Sequence, residues 1–368
     1  MKQSAAGDLE AWLRLALVPG VGAVTQRKLV ERFGSPSAAL AAAAREVAQF
    51  LGNEDAARHL ARGPGAGVLE RTLAWSSQPG NHVVTFGDAA YPRMLREIHD
   101  PPPVLYARGR AELLNVPALA IVGSRNATPQ GCRDAQAFAR ALSEAGLCIV
   151  SGMALGIDAA AHRGGLDGVS ASIAVLGTGV DRVYPRGNRE LYERLLERGC
   201  LISEFPLGTA PEGWNFPRRN RLISGLSRGV LVVEAARESG SMITTRAALD
   251  QGRDVFAIPG SIHAPLARGC HALIKDGAML VESADDVLRE LGMTPACAPE
   301  RAAAGEETNS DPILEAMGRA TVSIDQLVAL TGLGAPQLAA HLARLEVRGR
   351  VAAVPGGRFQ RAESRVIE

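Results

Sequence analysis

The chain has 368 residues, 46% of them hydrophobic and 21% charged, with a formal net charge of +1. That length excludes a single ordinary core and implies two or three domains. No apolar run could span a bilayer, and the opening MKQSAAGDLEAW lacks the basic-then-apolar layout of a signal peptide, so a cytoplasmic protein with no membrane partner is expected.

Five cysteines (Cys132, Cys148, Cys200, Cys270, Cys297) are odd in number and never spaced as CxxC, which argues against a disulfide framework or a structural zinc. Among the 40 basic residues only Lys2, Lys28 and Lys275 are lysines, leaving 37 arginines. Arginine pairs bidentately with phosphate, but a GC-rich genome enriches it too. The near-neutral total means that any nucleic-acid site must be a local patch.

In chain order, Leu9 to Leu17, Thr25 to Phe33 and Pro36 to Leu51 read as helices, with a turn at Pro19-Gly20-Val21-Gly22. LALVPGVGAVTQRKLVERFG looks like a helix-hairpin-helix presenting turn N–H groups to a phosphate, with a plain αα-corner closed by glycines as the alternative. HVVTF (82–86) reads as a strand. Tyr91 to Arg108, with Pro92 and Pro101-Pro102-Pro103, is expected to be an extended lead-in barred from helix and sheet interior.

From Leu119 to Val281 short apolar strands alternate with helices: ALAIV (118–122), LCIV (147–150), ASIAVL (171–176), LISEF (201–205), VLVVEA (230–235) and VFAIP (255–259). Helices are expected through Phe138 and Leu142, at Ile157 to His162, Leu191 to Leu196, near Leu222 and at Met242 to Leu249. The pattern predicts an α/β fold with a doubly wound parallel sheet covered on both faces. GMTPACAPERAAAGEETNS reads as a linker. DPILEAMG, VSIDQLVALTG and APQLAAHLARLEVRG, followed by VAAVPGGRFQR, give three helices and a Gly-Gly hairpin, the layout of a winged helix. The expected division is a small helical domain over 1–78, the α/β domain over 79–292, a linker over 293–310 and the winged helix over 311–368.

Ligands of doubly wound sheets bind where strands end, so the loops there carry the site. They are Gly123-Ser124-Arg125, Ser151-Gly152 with Met153 to Gly156, Gly177-Thr178-Gly179, then Tyr184-Pro185-Arg186-Gly187-Asn188, and Ser239-Gly240-Ser241 ahead of a helix. Small residues at helix starts free N–H groups for anions. The densest feature is Asn215-Phe216-Pro217-Arg218-Arg219-Asn220-Arg221 with Arg228 behind it, four positive charges expected to converge on one groove. Phe216 beside Arg218, Asn220 and Arg221 suits a sugar-phosphate backbone with a stacked base, as single-stranded DNA offers. Arg125 and Arg186 are expected to extend that groove.

Other chemistry fits less well. Gly177-Thr178-Gly179-Val180-Asp181-Arg182 lacks the third glycine of a dinucleotide fingerprint, so no NAD or FAD cofactor is expected. Gly225-Leu226-Ser227-Arg228-Gly229 matches GxSxG, but with helix before and strand after, the reverse of a nucleophile elbow. Asp158 and His162, i and i+4 on one helix, form either a helix-stabilising pair or an acid–base or metal couple lacking a third ligand.

Together YPRMLREIHDPPPVLYARG, IVGSRNAT, IVSGMALGIDAAAH, AVLGTGVDRVYPRGN, ISEFPLGTAP, FPRRNRLISGLS, VVEAARESGSMITTRAALDQGRDVFAIPGS and GCHALIKDGA resemble the bacterial DNA-processing protein A family, also called Smf, over His82 to Leu291. The resemblance implies a Rossmann-like domain flanked by an N-terminal SAM or helix-hairpin-helix-like domain and a C-terminal winged helix. It implies a non-enzymatic single-stranded DNA-binding protein of natural transformation that protects incoming DNA and helps load RecA recombinase. It also implies a homodimer and DNA contacts at Arg125, at Arg186, where some relatives have lysine, and along the FPRRNR run. Two rivals stand beside it. One is a phosphoribohydrolase-like enzyme, whose PGGxGTxxE loop Pro259-Gly260-Ser261-Ile262-His263 only begins to match, leaving Glu234 without a partner. The other is a winged-helix regulator, offering Gln337, His341, Arg344 and Arg348 to bases.

Overall fold

A computed structural model describes residues 2–18, 20–65, 67–293, 311–318 and 320–361, apart from the side chains of residues 2–7. The expected linker over 293–310 lies, except for Met293, outside the described residues, as does Cys297.

Six helices open the chain: α1 (Lys2–Ala16), α2 (Ala23–Phe33), α3 (Pro36–Ala41), α4 (Ala44–Leu51), α5 (Glu54–Arg62) and α6 (Val68–Ser76). The expected single helix over 36–51 is two, because Ala42 and Ala43 are extended; the α3 start is capped by the Ser35 hydroxyl. Leu15, Val18, Val21 and Leu29 bury the hairpin between α1 and α2. Buried Gln26 locks it, donating from Nε2 to Val21 O at 2.7 Å. Its Gly20-Val21-Gly22 turn faces Pro102, Pro103, Phe205 and Arg218 across a cleft of about 430 Å³, so the turn addresses the next domain.

The central sheet uses β1 (Asn81–Thr85), β2 (Val104–Gly109), β3 (Ala118–Val122), β4 (Cys148–Ser151), β5 (Ser172–Val175), β6 (Cys200–Ser203), β7 (Gly229–Val232), β8 (Asp254–Ala257) and β9 (Met279–Leu280), in spatial order β1-β2-β6-β5-β4-β3-β7-β8-β9. Helices α7 (Arg93–Arg96), α8 (Pro129–Glu144), α9 (Ile157–Asp167), α10 (Arg189–Arg198), α11 (Asn215–Gly225), α12 (Gly240–Asp250), α13 (Arg268–Lys275) and α14 (Ala284–Glu290) complete the domain. Strands β6 to β9 in that order are parallel, whereas β2 runs antiparallel to both β1 and β6. The sheet is therefore mixed, not purely parallel. The expectation that the proline run bars Tyr91 to Arg108 from helix and sheet interior fails: the prolines stop at Pro103, one residue before β2, whose N–H groups are all free to pair, and Arg93–Arg96 is helical.

Alternating side chains of β3 go to opposite faces. Ala118, Ala120 and Val122 join one buried cluster with Val150, Val230 and Leu222, while Leu119 and Ile121 join the other with Leu142, Ile149 and Leu231. Trp12 and Leu13 of α1 pack in a third cluster with Tyr106 of β2, which ties the helical domain to the sheet edge.

The C-terminal unit is α15 (Pro312–Met317), β10 (Val322–Ser323), α16 (Ile324–Thr331), α17 (Ala335–Val347), β11 (Val351–Val354) and β12 (Arg358–Arg361), a winged helix around Leu314, Leu327, Leu338 and Leu342. Its wing turns on Gly356 and Gly357, both left-handed at φ +87° and +68°, which side-chain-bearing residues rarely adopt.

Candidate nucleic-acid interface

The chain steps from β3 through β4 and β5 to β6 on one side, then returns to place β7 on the other side of β3. Loops after β3 and β7 thus leave in opposite directions, and a crevice opens between them at the carboxyl ends. It measures about 330 Å³ and is lined by Gly123, Ser124, Arg125 and Asn126 after β3, by Ser239, Gly240, Ser241 and Thr244 at the α12 start, and by Phe216, Arg219 and Asn220 of α11. Eight expected residues therefore meet there: Gly123, Ser124, Arg125, Phe216, Asn220, Ser239, Gly240 and Ser241.

Arg125 is exposed and has no ion-pair or hydrogen-bond partner among the described residues. Its loop is pinned by backbone hydrogen bonds beneath it. The Ser124 N–H donates to Glu234 O at 2.7 Å, the Asn126 N–H to Ser124 Oγ at 3.1 Å, and the Ile157 N–H to Ser124 O at 3.1 Å. Glu234 holds the far end of the loop, accepting from Thr128 N–H at 2.8 Å and from Thr128 Oγ1 at 2.6 Å, and burial raises its carboxyl above the usual range. Across the crevice the Gly240 and Ser241 N–H groups start an 11-residue helix and have no intrahelical acceptor.

The loop after β4 does something else. The Gly152 and Ala154 N–H groups donate to Asp158 Oδ2 at 3.1 and 3.3 Å, and the Met153 N–H to His162 Nε2 at 3.3 Å. His162 Nδ1 lies 2.7 Å from Ser172 Oγ, whose own proton goes to Ile149 O at 2.7 Å, so the imidazole is a neutral Nδ1–H tautomer. Burial, reinforced by Arg219 and Arg163, pushes its pKa down to about 3. Asp158 and His162 thus cap a loop, and the Ser151 hydroxyl donates to Ile121 O at 2.7 Å. The expected phosphate roles of Ser151 and Gly152 fail because these groups are already spent inside the fold. The Asp158 carboxyl is raised by burial.

Helix α11 separates its charges by helical phase. Phe216, Arg219 and Asn220, spaced i, i+3, i+4, face the crevice. Arg219, only 5% exposed, donates from Nη1 to Gly152 O at 2.7 Å and also to Val175 O, and its Nε reaches Asn220 Oδ1 at 3.2 Å. Burial lowers its pKa to about 10, with Asp158 opposing the shift and nearby Arg125 adding to it. Two guanidiniums therefore sit close together, one spent on structure and one open. Gly152 must lack a side chain here, since a Cβ would stand 2.7 Å from Arg219 Nη2.

The expected convergence of four cations is corrected by the same phase. Arg221 is held by Asp100 at 2.6 Å and Glu204 at 2.8 Å, and Arg218 by Glu204 at 3.3 Å while stacking over Phe205, both on the opposite face. Arg228 donates to Leu291 O at 2.6 Å. None of the three lines the crevice.

The loops after β5 act as supports. A Cβ on Gly177 would lie 2.7 Å from Phe216 Cδ1, so the glycine seats the ring. Thr178 is buried with its hydroxyl on Gly179 O at 3.2 Å, and the Gly179 N–H donates to Thr209 O at 3.0 Å. Buried Asn188 donates to Met153 O at 2.9 Å, tying this loop to the one after β4. The phosphate roles expected of Thr178, Gly179 and Asn188 give way to these internal bonds, and Gly177 instead makes room for the Phe216 ring.

Arg186 is exposed and lies outside the crevice lining, yet its loop reaches it through Tyr184, whose ring stands 5.5 Å from that of Phe216 at 32°. Tyr184 is 42% exposed and Trp214, at the α11 start, 71%. The sequence pattern counted Arg219 among four converging charges without separating it from its neighbours, carried Tyr184 only as part of its loop, and left Trp214 out. The i, i+3 spacing from Phe216 could have flagged Arg219; nothing local pairs Tyr184 with Phe216.

The GxSxG serine, Ser227, is fully buried with its hydroxyl on Ile223 O at 2.9 Å. Among the described residues no three His, Cys, Asp or Glu side chains gather as a metal would need, and no helix is long and apolar enough to cross a membrane.

Fold and crevice define a Rossmann-like protein with an arginine unpaired among the described residues at its topological switch point and one wall carrying Phe216, against which Tyr184 packs. The chain belongs to the DNA recombination-mediator protein A family, whose model matches residues 82–292. A DprA-like N-terminal HHH domain matches 7–50 and a DprA winged helix domain 297–357. Protein Smf of Escherichia coli K12 is 41% identical over 308 residues, covering 80% of this chain and 82% of that one; Protein Smf of Synechocystis is 36% identical, covering 95% and 98%. The X-ray structure of DNA processing protein A (DprA) from Streptococcus pneumoniae aligns with TM-score 0.68 at 36% identity over 76% of this chain and 97% of that one. The Helicobacter pylori DNA processing protein A structure, which concerns a single-stranded DNA binding mode, aligns with TM-score 0.52 at 29% identity over 57% and 95%.

Proposed function

We propose that the crevice binds single-stranded DNA and that the chain is a non-enzymatic mediator that captures and protects incoming strands in natural transformation. The carrying observation is Arg125, open and unpaired beside the α12 N-terminus and the Phe216–Tyr184 ring pair. A guanidinium and free helix N–H groups suit a phosphate, and adjoining rings suit splayed bases, a combination that a duplex with stacked bases cannot use. The solved structure of the Helicobacter pylori relative, which concerns a single-stranded DNA binding mode, supports the ligand. We assign Gly123, Ser124, Arg125, Phe216, Asn220, Ser239, Gly240 and Ser241 to the strand, with Arg186 on its outer path.

On this reading the protein is cytoplasmic, pairs with a second copy of itself and hands its strand to RecA; the family resemblance supports these partners. The working division is 1–78, 79–292, the 293–310 linker and 311–368. Labelled single- and double-stranded oligonucleotides titrated across a salt series test the ligand. Preferential single-strand binding, with a slope of roughly 0.7 log units per phosphate contact, is expected. Equal affinity for both forms, or release of free base from a nucleoside monophosphate, would falsify the reading.

A further inference from the structure

A second cleft, of about 800 Å³, lies between the carboxyl ends of β7 and β8 and the wing of the C-terminal unit. It adjoins the first, because Asn126 lines both. Val233, Ile258 and Leu266 wall it from the α/β side, and Val354 and Pro355 from the wing. We infer that this interdomain cleft is a second nucleotide subsite, continuing the single strand past Asn126 and seating a base against the wing residue Gln360. The inference rests on the reading of the first crevice as a single-strand site.

Gln360 is 7% exposed, lines the cleft, and its Oε1 is buried without a hydrogen-bond partner among the described residues. A carboxamide can turn its oxygen and nitrogen ends about, so the orphan wants a donor in one orientation and an acceptor in the other. Every nucleobase carries both, which makes the seat tolerant of sequence. Arg358, two residues back on β12 and therefore on the same face, is exposed and has no ion-pair partner among the described residues.

The other wall sets the direction of the nucleotide. Glu234 and Asp134 line it, with both Glu234 oxygens engaged by Thr128 and with Gln130 Nε2 donating to Asp134 Oδ1 at 2.7 Å. Two carboxylates keep phosphate off that wall, so the phosphate turns to Arg358 and the base enters the apolar space. The winged helix thereby reads a single strand by its wing and needs no recognition helix in a groove.

Full-length protein and oligothymidines of increasing length, followed by fluorescence anisotropy at fixed salt, test this. Wild type is expected to gain affinity beyond the length that fills the first crevice. Arg358→Ala and Gln360→Leu should each cut that gain about tenfold while leaving the shortest oligonucleotide unaffected. An unchanged gain in both variants overturns the inference and leaves the first crevice standing. Failure of wild type to bind any length overturns the crevice reading itself. Should Gln360→Leu misfold, exposed Arg358→Ala carries the test alone.

Discussion

The loops after β3 and β4 are both short, glycine-bearing turns from a central strand into a helix, and by residue type either could cradle a phosphate. In the β4 loop the next helix supplies Asp158 and His162, which take the N–H groups of residues 152 to 154. In the β3 loop the backbone is likewise tied, through Ser124, Glu234 and Thr128, but the Arg125 side chain is left in solvent. A glycine loop is thus a ligand site only where the fold leaves something unspent. Arg219 and Arg125 repeat the contrast in side chains, one clamping two strand ends and the other free.

Arg219→Ala removes a buried cation from Gly152 O and Val175 O and leaves Asp158 without its compensating charge, and should cost about 3–5 kcal/mol of stability in urea unfolding. A loss below about 1 kcal/mol would mean that Arg219 is no keystone.

The second test is pH. His162 has its folded pKa depressed to about 3 from 6.5, so its contribution is present above pH 6.5 and is lost as pH falls toward 3. Stability should fall by up to about 1.4 kcal/mol per pH unit in that window, and His162→Gln should flatten the slope. An unchanged slope in the variant would place the acid sensitivity elsewhere, with burial-raised Asp158 and Glu234 the wrong candidates, because raised carboxyls favour the fold as pH drops.

The open half predicts the opposite profile. Arg125→Ala should leave stability within about 0.5 kcal/mol yet weaken single-strand binding by about 1.5–3 kcal/mol, read as Kd and as a shallower salt slope. Destabilisation without loss of affinity would reverse the roles of the two arginines. The smallest effect is expected from Tyr184→Ala, about 1 kcal/mol in binding, with salt slope unchanged because a ring contributes stacking and no charge. A change in slope there would count against stacking.

Much of the fold was legible because strand and helix periods are written locally: the six apolar runs from ALAIV to VFAIP all became strands, with ends within three residues. The winged helix followed from three helical periods and a Gly-Gly turn. What misled was β2, where a proline run was read as barring the residues after it. At the site, Arg125 with its loop and Phe216 were visible as residue types. That Arg218 and Arg221 turn away was implicit in helical phase, but the phase has meaning only once Glu204 and Asp100 are placed on the far side.

By itself, then, the sequence determined the alternation of strands and helices, the glycine-bearing strand ends and the supply of arginine, since each depends on neighbours within a few residues. Tertiary structure decided which of those groups remain free. Hydrogen-bond acceptors and counter-charges arrive from segments distant in sequence: Glu204 for Arg218 and Arg221, Val175 and Gly152 for Arg219, Ser172 for His162. An anion site is what remains after those claims are met, and the remainder cannot be read until every claimant has been placed.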